Sequence, residues 1–207
     1  MELFLTSSVH AVARDIATRY DWSKGKTLVF ITTPAEAKEE QGDLEWQRID
    51  RQALVGAGWE VTDYTITGKD AAQIKRDLEG YEVIYVSGGS PPYMLEQSQK
   101  SGFIPVVQKL VREGKTYIGT STGSIMCGPR LPEWFDDEAI EFVDRTCYNF
   151  VNFTIAPHWG SKYFKDEYFG ARMKKMYQES QVPLILLTDS QYVHVQDDTL
   201  EIIDVNN

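Results

Sequence analysis

The 207-residue chain is long enough for one sizeable core, with 42% apolar and 25% charged residues, within the ordinary range of soluble proteins. Its formal net charge of −10 argues against nucleic acid as a partner, since sequence-independent binding there rests on neutralising phosphates with Lys and Arg. No apolar run approaches the ~20 residues that cross a bilayer. The N-terminus MELFLTSSVHAVARDI lacks the basic start and long apolar stretch of a signal peptide, so no membrane partner and a cytoplasmic location are expected.

Glu2 to Thr6 reads as a first strand, followed by a helical stretch through Ala11 and Ile16 and a buried strand at Thr27 to Thr32. Trp46, Ile49, Ala53 and Leu54 fall at helical spacing, with Asp43 as N-cap and Gly56 and Gly58 as a stop. WEVTDYTI predicts a strand, and DAAQIKRDLEG a helix that starts at Asp70 and turns Ile74 and Leu78 inward. The strand at Tyr81 to Val86 runs into Ser87-Gly88-Gly89-Ser90-Pro91-Pro92 and a helical turn at Tyr93, Met94 and Leu95. Ile104, Val107 and Val111 form one face of another helix, and Thr116 to Gly119 form the next strand. VNFTIAP, LILLT, YVHVQ and LEIID are strand-like, with a long helix around Phe169, Met173, Met176 and Tyr177 between the first two. Gln196-Asp197-Asp198-Thr199 joins the last two as a hairpin. The alternation predicts one α/β domain over residues 1–207: a doubly wound, mostly parallel sheet between two helical layers, with an antiparallel edge.

Gly119-Thr120-Ser121-Thr122-Gly123 matches Gly-x-Ser-x-Gly and sits after a buried strand and before a helix, the context in which such a serine is lifted above a sheet edge as a nucleophile. Glycines flank it because the turn leaves no room for Cβ atoms on either side. If their strands are neighbours, Gly88 and Gly89 bring bare amides beside the elbow, where they can complete an oxyanion hole. A serine needs a base, usually a histidine oriented by a carboxylate. His158, in Ala156-Pro157-His158-Trp159-Gly160, follows a strand on the expected active face; His10 falls in the N-terminal helix region and His194 in mid-strand, where a structural role fits. Glu133, Asp136, Asp137 and Glu138 cluster after the elbow, and spacing does not choose among them. Cys127 and Cys147 are too few for a disulfide framework and read as buried thiols, and the histidines have no metal-binding spacing.

With LFLTSS, YVSGGSPPYML, YIGTSTGSIMCGP, the acidic loop at Asp136 and IAPHWG in this order and spacing, the chain resembles the peptidase E family. These are aspartyl dipeptidases of the serine type, with a fold related to class I glutamine amidotransferases. The resemblance implies Ser121 as nucleophile, His158 as base and Asp136 as third member, with Asp137 as the fallback. It also implies Gly89 and the Thr122 amide as oxyanion hole, and a short peptide substrate with N-terminal aspartate, without metal or organic cofactor. The family usually reads Ser-Ala-Gly-Ala at the elbow and Gly-Gly-Asn at the glycine loop, whereas this chain has Ser121-Thr122-Gly123-Ser124 and Gly88-Gly89-Ser90, which bears on specificity. Gly88 and Ser90 are candidates for shaping the substrate site, and Arg172 and Arg130 for pairing a substrate carboxylate. Rival readings are a cyanophycinase-like peptidase, an esterase, or a silent binding protein on the same fold. Glutamine amidotransferase activity fits less well, because it requires cysteine at the elbow. Monomer and homodimer are both compatible with the edge hairpin.

Overall fold

The structure, a computed structural model, describes residues 1–37, 44–135, 143–179 and 182–206. Strand β1 (Glu2–Thr6) leads into α1 (Val9–Arg19), then β2 (Thr27–Ile31), a single turn α2 (Thr33–Glu36), α3 (Glu45–Ala57) and β3 (Glu60–Tyr64). Next come α4 (Ala71–Leu78), β4 (Val83–Val86), α5 (Pro91–Ser101), α6 (Phe103–Arg112), β5 (Thr116–Thr120) and the short α7 (Thr122–Ile125). The expected N-cap Asp43 lies outside the described residues.

Seven strands form one sheet in the order β3-β2-β4-β5-β1, all parallel, continued by β8 (Gln191–Gln196) and β9 (Thr199–Asp204) as an antiparallel edge hairpin. Alternate residues of each parallel strand face opposite sides, as the two-residue period of a strand requires. Leu3, Leu5, Val29, Ile31, Ile84 and Val86 join one apolar cluster, and Phe4, Leu28, Phe30, Val83, Tyr85 and Ile118 another. Helices α1 and α3 cover the second face with Val12, Ile16 and Leu54, and α4 to α7 cover the first with Ile74, Met94, Phe103, Val107 and Ile125. Both faces are therefore buried, which is why these strands read as continuous apolar runs.

Two strands stand apart from the expectation of a single sheet. VNFTIAP and LILLT contribute β6 (Thr154–Ala156) and β7 (Leu184–Leu186), which pair with each other in parallel, Ala156 opposite Leu186, as a separate two-stranded sheet. The long helix between them is interrupted: α8 (Lys165–Glu167), a π-helical stretch Tyr168–Arg172 with a non-helical Gly170, and α9 (Met173–Glu179). Tyr168 and Met176 pack inward, while Phe169 and Tyr177 are exposed. Cys127 and Cys147 are free and buried, and burial pushes both thiols well above their ordinary pKa. No helix among the described residues is long and apolar enough to cross a membrane.

Candidate active site

The carboxyl ends of β1, β4, β5, β6 and β7 converge on a cleft of about 980 Å³. At its centre Ser121 caps α7 with φ 48° and ψ −106°, a conformation that costs a non-glycine residue on the order of 1–3 kcal/mol. Surrounding contacts hold it there. Its N–H donates to the Thr6 carbonyl at 3.0 Å, and its carbonyl accepts from Ser124 and Ile125 at 3.0 Å each. Gly123 has no room for a side chain, since a Cβ there would lie 2.2 Å from the Val86 carbonyl oxygen.

Because Ala156 and Leu186 are opposite each other in the small sheet, the residues just beyond them emerge at the same end. Leu187 N–H donates to Ala156 O at 3.0 Å, and Trp159 N–H to Leu187 O at 2.9 Å, which zips the two loops together. One loop carries His158, with φ 61°, and the other Asp189. His158 Nε2 lies 3.0 Å from Ser121 Oγ and Nδ1 lies 2.7 Å from Asp189 Oδ1. A carboxylate only accepts, so the proton on this imidazole belongs on Nδ1 and Nε2 faces the serine hydroxyl as an acceptor. Phe164 stacks on the ring at 4.5 Å and fixes its plane. Ser7, just past β1, accepts from His158 N–H at 2.7 Å and donates to Asp189 Oδ1 at 2.9 Å, so it sets both partners. The Asp189 carboxyl is held below its ordinary pKa, foremost by the hydrogen bond from His158 acting against burial, with the Ser7 hydroxyl assisting.

The strands β4 and β5 are neighbours, and Gly88 and Gly89 do lie beside the elbow: a Cβ at Gly88 would approach Ser121 Cβ to 3.5 Å. Gly89 has φ 137°, and a Cβ there would sit 2.1 Å from the Pro34 carbonyl oxygen, so only glycine fits. Neither the Gly89 nor the Thr122 N–H donates to an acceptor among the described residues. Each departure from the resembled family's motifs has a task. Thr122 Oγ1 donates to Gly89 O at 2.8 Å and ties the elbow to the glycine loop. The Ser124 hydroxyl lies 2.7 Å from Thr6 O and 2.9 Å from Gly119 O. Ser90 Oγ accepts from Tyr93 N–H at 3.1 Å as the N-cap of α5.

Arg172 lines the cleft with its guanidinium 5.0 Å over the Phe135 ring, whereas Arg130 pairs with Glu133 at 2.9 Å. His194 is stacked on Phe4 within the sheet, away from the cleft. Asp136 and Asp137, expected from the resemblance as the orienting carboxylate, lie outside the described residues, and the carboxylate in contact with His158 is Asp189. Sequence reasoning missed Asp189 and Ser7. For Asp189 there was a signal, a carboxylate placed just past an apolar strand in LILLTD; for Ser7, one hydroxyl among many, there was none. Among the described residues no group of three or more His, Cys, Asp or Glu side chains is placed to hold a metal ion.

The fold is that of a mixed α/β protein, with a serine, an imidazole and a carboxylate in series at the carboxyl edge of its parallel sheet, an arrangement suited to hydrolysis. The profile of peptidase family S51 matches residues 3–203, and the chain belongs to that family. It is 28% identical over 169 residues to an uncharacterized peptidase of Listeria monocytogenes, covering 79% of this chain and 80% of that one. It is 28% identical over 153 residues to a peptidase E of Streptomyces coelicolor, covering 72% and 61%. A crystal structure of a provisionally named peptidase E protein from Listeria monocytogenes superposes with a TM-score of 0.85 at 22% identity, over 99% of this chain and 98% of that one. The protein is therefore a peptidase with the peptidase E fold.

Proposed function

We propose that this peptidase is of the serine type and cleaves short peptides, chiefly dipeptides with an N-terminal aspartate, through an acyl-enzyme on Ser121. The observation that carries this reading is the continuous series Ser121 Oγ, His158, Asp189, with separations of 3.0 and 2.7 Å. In the proposed reaction His158 Nε2 takes the hydroxyl proton as Oγ bonds to the scissile carbonyl carbon, and Asp189 stabilises the imidazolium. The carbonyl oxygen, now negative, accepts from the Gly89 and Thr122 amides, a contribution that elsewhere reaches several kcal/mol. The C–N bond breaks as the imidazolium returns the proton to the leaving amine. Water, deprotonated by the same imidazole, then hydrolyses the ester.

Arg172 on the cleft wall supports an acidic substrate. A cytoplasmic location is supported by the two free, buried cysteines, which suit a reducing compartment.

The test is a dipeptide panel, with and without N-terminal aspartate, assayed with the wild type and Ser121→Ala alongside fluorophosphonate labelling. Activity confined to aspartyl dipeptides, lost with labelling in the variant, is the expected result. Cleavage of other peptides or esters would keep the chemistry and replace the substrate. A folded wild-type protein that neither labels nor cleaves would be a binding protein on this fold.

A further inference from the structure

The cleft holds a second histidine–carboxylate pair that this chemistry does not use. His10, in the first turn of α1, places Nδ1 2.8 Å from Oδ1 of Asp50 on α3, with Ser8 Oγ 3.1 Å from the same nitrogen. Asp50 is 4% exposed, and its other oxygen accepts at 3.3 Å from the hydroxyl of the fully buried Tyr85. A buried carboxylate is costly unless a hydrogen-bonded partner answers it. Among the described residues the group paired with it is His10, whose imidazole is 43% exposed and lines the cleft together with Trp46 and Ser121.

Since Asp50 can only accept, Nδ1 carries a hydrogen in either charge state. Nε2 then remains, without a hydrogen-bond partner among the described residues, as the polar atom left for a ligand. Ser8 at the start of α1 and Asp50 on α3 touch the ring, Tyr85 on β4 donates to Asp50 from behind, and the charge of Asp189, across the cleft beside His158, also acts on it. The hydrogen bond to Asp50 is the main influence raising the His10 pKa; burial opposes it, and the charges of Asp50 and Asp189 add to it. The positive end of the α1 dipole lies at the same place; it favours an anion there while working against a charge on His10 itself. On a chain of net charge −10, such a donor offsets the repulsion an anionic ligand would meet.

The position is also complementary to Arg172. Helices α1 and α3 belong to the layer on one face of the sheet, whereas Phe135 and Tyr168, the neighbours of Arg172, belong to the cluster on the other. Ser121 sits between, at the sheet's carboxyl edge. A peptide lying across that edge would have His10 on one side and Arg172 on the other.

We propose that His10, held by Asp50, is a carboxylate subsite of this cleft, which receives a carboxylate of the peptide through Nε2–H. The proposal rests on the serine-peptidase reading for the identity of the ligand, although binding itself needs no turnover. Two carboxylates of an aspartyl dipeptide could occupy it, the C-terminal one or the aspartyl side chain.

The experiment has two arms. In the first, the His10 ring is followed by NMR in Ser121→Ala protein titrated with succinate. A rise in the His10 pKa, absent with the diamide of succinate, is expected; no response to succinate would overturn the subsite whatever Ser121 does. In the second, wild type and His10→Gln are compared on Asp-Leu, Asp-Leu-amide and Asn-Leu. A KM for Asp-Leu raised about tenfold or more, with kcat changed less, is expected from one lost charge-assisted hydrogen bond. If Asp-Leu-amide is insensitive to the substitution, the C-terminal carboxylate is the ligand; if Asn-Leu is insensitive, it is the side chain. Equal changes for all three substrates, or none, would sink the proposal. Failure of the wild type to label with a fluorophosphonate would instead strike the serine-peptidase reading and leave the succinate result standing.

Discussion

At the scale of single residues, the site depends on a few side chains placed by contacts far apart in the chain. Asp189 illustrates this, since its only sequence neighbours of note are the strand LILLT before it and Ser190 after it. In the proposed mechanism it holds the Nδ1–H tautomer of His158, so Asp189→Asn should leave the fold intact and lower kcat/KM by roughly 10³- to 10⁴-fold. Steady-state kinetics on wild type, Asp189→Asn and Asp136→Asn, with near-UV circular dichroism to establish folding, would check this. Full activity in Asp189→Asn, with the loss appearing in Asp136→Asn, would return the orienting role to Asp136. Ser7 is a positioning residue in the same sense, because it touches the histidine amide and the carboxylate but faces no reacting bond.

At the scale of elements, the strand-to-helix turn between β5 and α7 concentrates the constraints. Gly123 faces the carbonyl of Val86, at the end of the neighbouring strand β4, so the elbow and the oxyanion loop share one close approach. A methyl group in Gly123→Ala would sit 2.2 Å from that oxygen, a backbone atom that cannot swing aside. The turn or the strand must move, and we expect a loss of at least ~3 kcal/mol in urea unfolding together with loss of fluorophosphonate labelling. Wild-type stability and labelling would show the elbow packing to be looser than described. Much of this was legible in the sequence: Gly-x-Ser-x-Gly after a buried strand predicts the turn, and Gly-Gly after the preceding strand predicts the second loop. The long helix was legible only in part. Its apolar spacing over Phe169, Met173, Met176 and Tyr177 suggests one run, but Gly170 leaves helical geometry and Phe169 and Tyr177 turn out to solvent.

At the scale of the whole molecule, the two ends of the chain meet in the sheet, because β1 lies between β5 and β8. Glu2 joins them. Its buried carboxylate accepts from Lys24 Nζ at 2.9 Å and Thr116 Oγ1 at 2.7 Å, with His194 Nε2 3.8 Å away. Burial alone would raise its pKa, yet these contacts with His194, Thr116 and Lys24 outweigh burial and hold it at about 2, against an ordinary 4.5. A depressed carboxylate stabilises the fold above its unfolded pKa and ceases to do so as pH falls through its folded value. The contribution, on the order of 2 to 3 kcal/mol, should therefore fade between about pH 5 and pH 2. Melting temperatures of wild type and Glu2→Gln across that range should converge as pH falls. A constant difference would mean that Glu2 is not the titrating group.

What the sequence by itself determined are the features that depend on neighbours along the chain. Apolar alternation and helical spacing placed the strands and helices, and the hairpin through Asp197 and Asp198 is β8 to β9 as expected. Glycines marked the two turns where backbone must approach backbone. Only the tertiary structure decided which side chains meet. Ser121 and His158 are 37 residues apart and His158 and Asp189 are 31, and their contacts arise because β6 pairs in parallel with β7 while β5 lies next to β1. His10 and Asp50, on separate helices, meet because α1 and α3 pack on the same face of the sheet. Strand order and layer assignment are properties of the packed core as a whole, so no local pattern around Asp189, Ser7 or His10 could carry them.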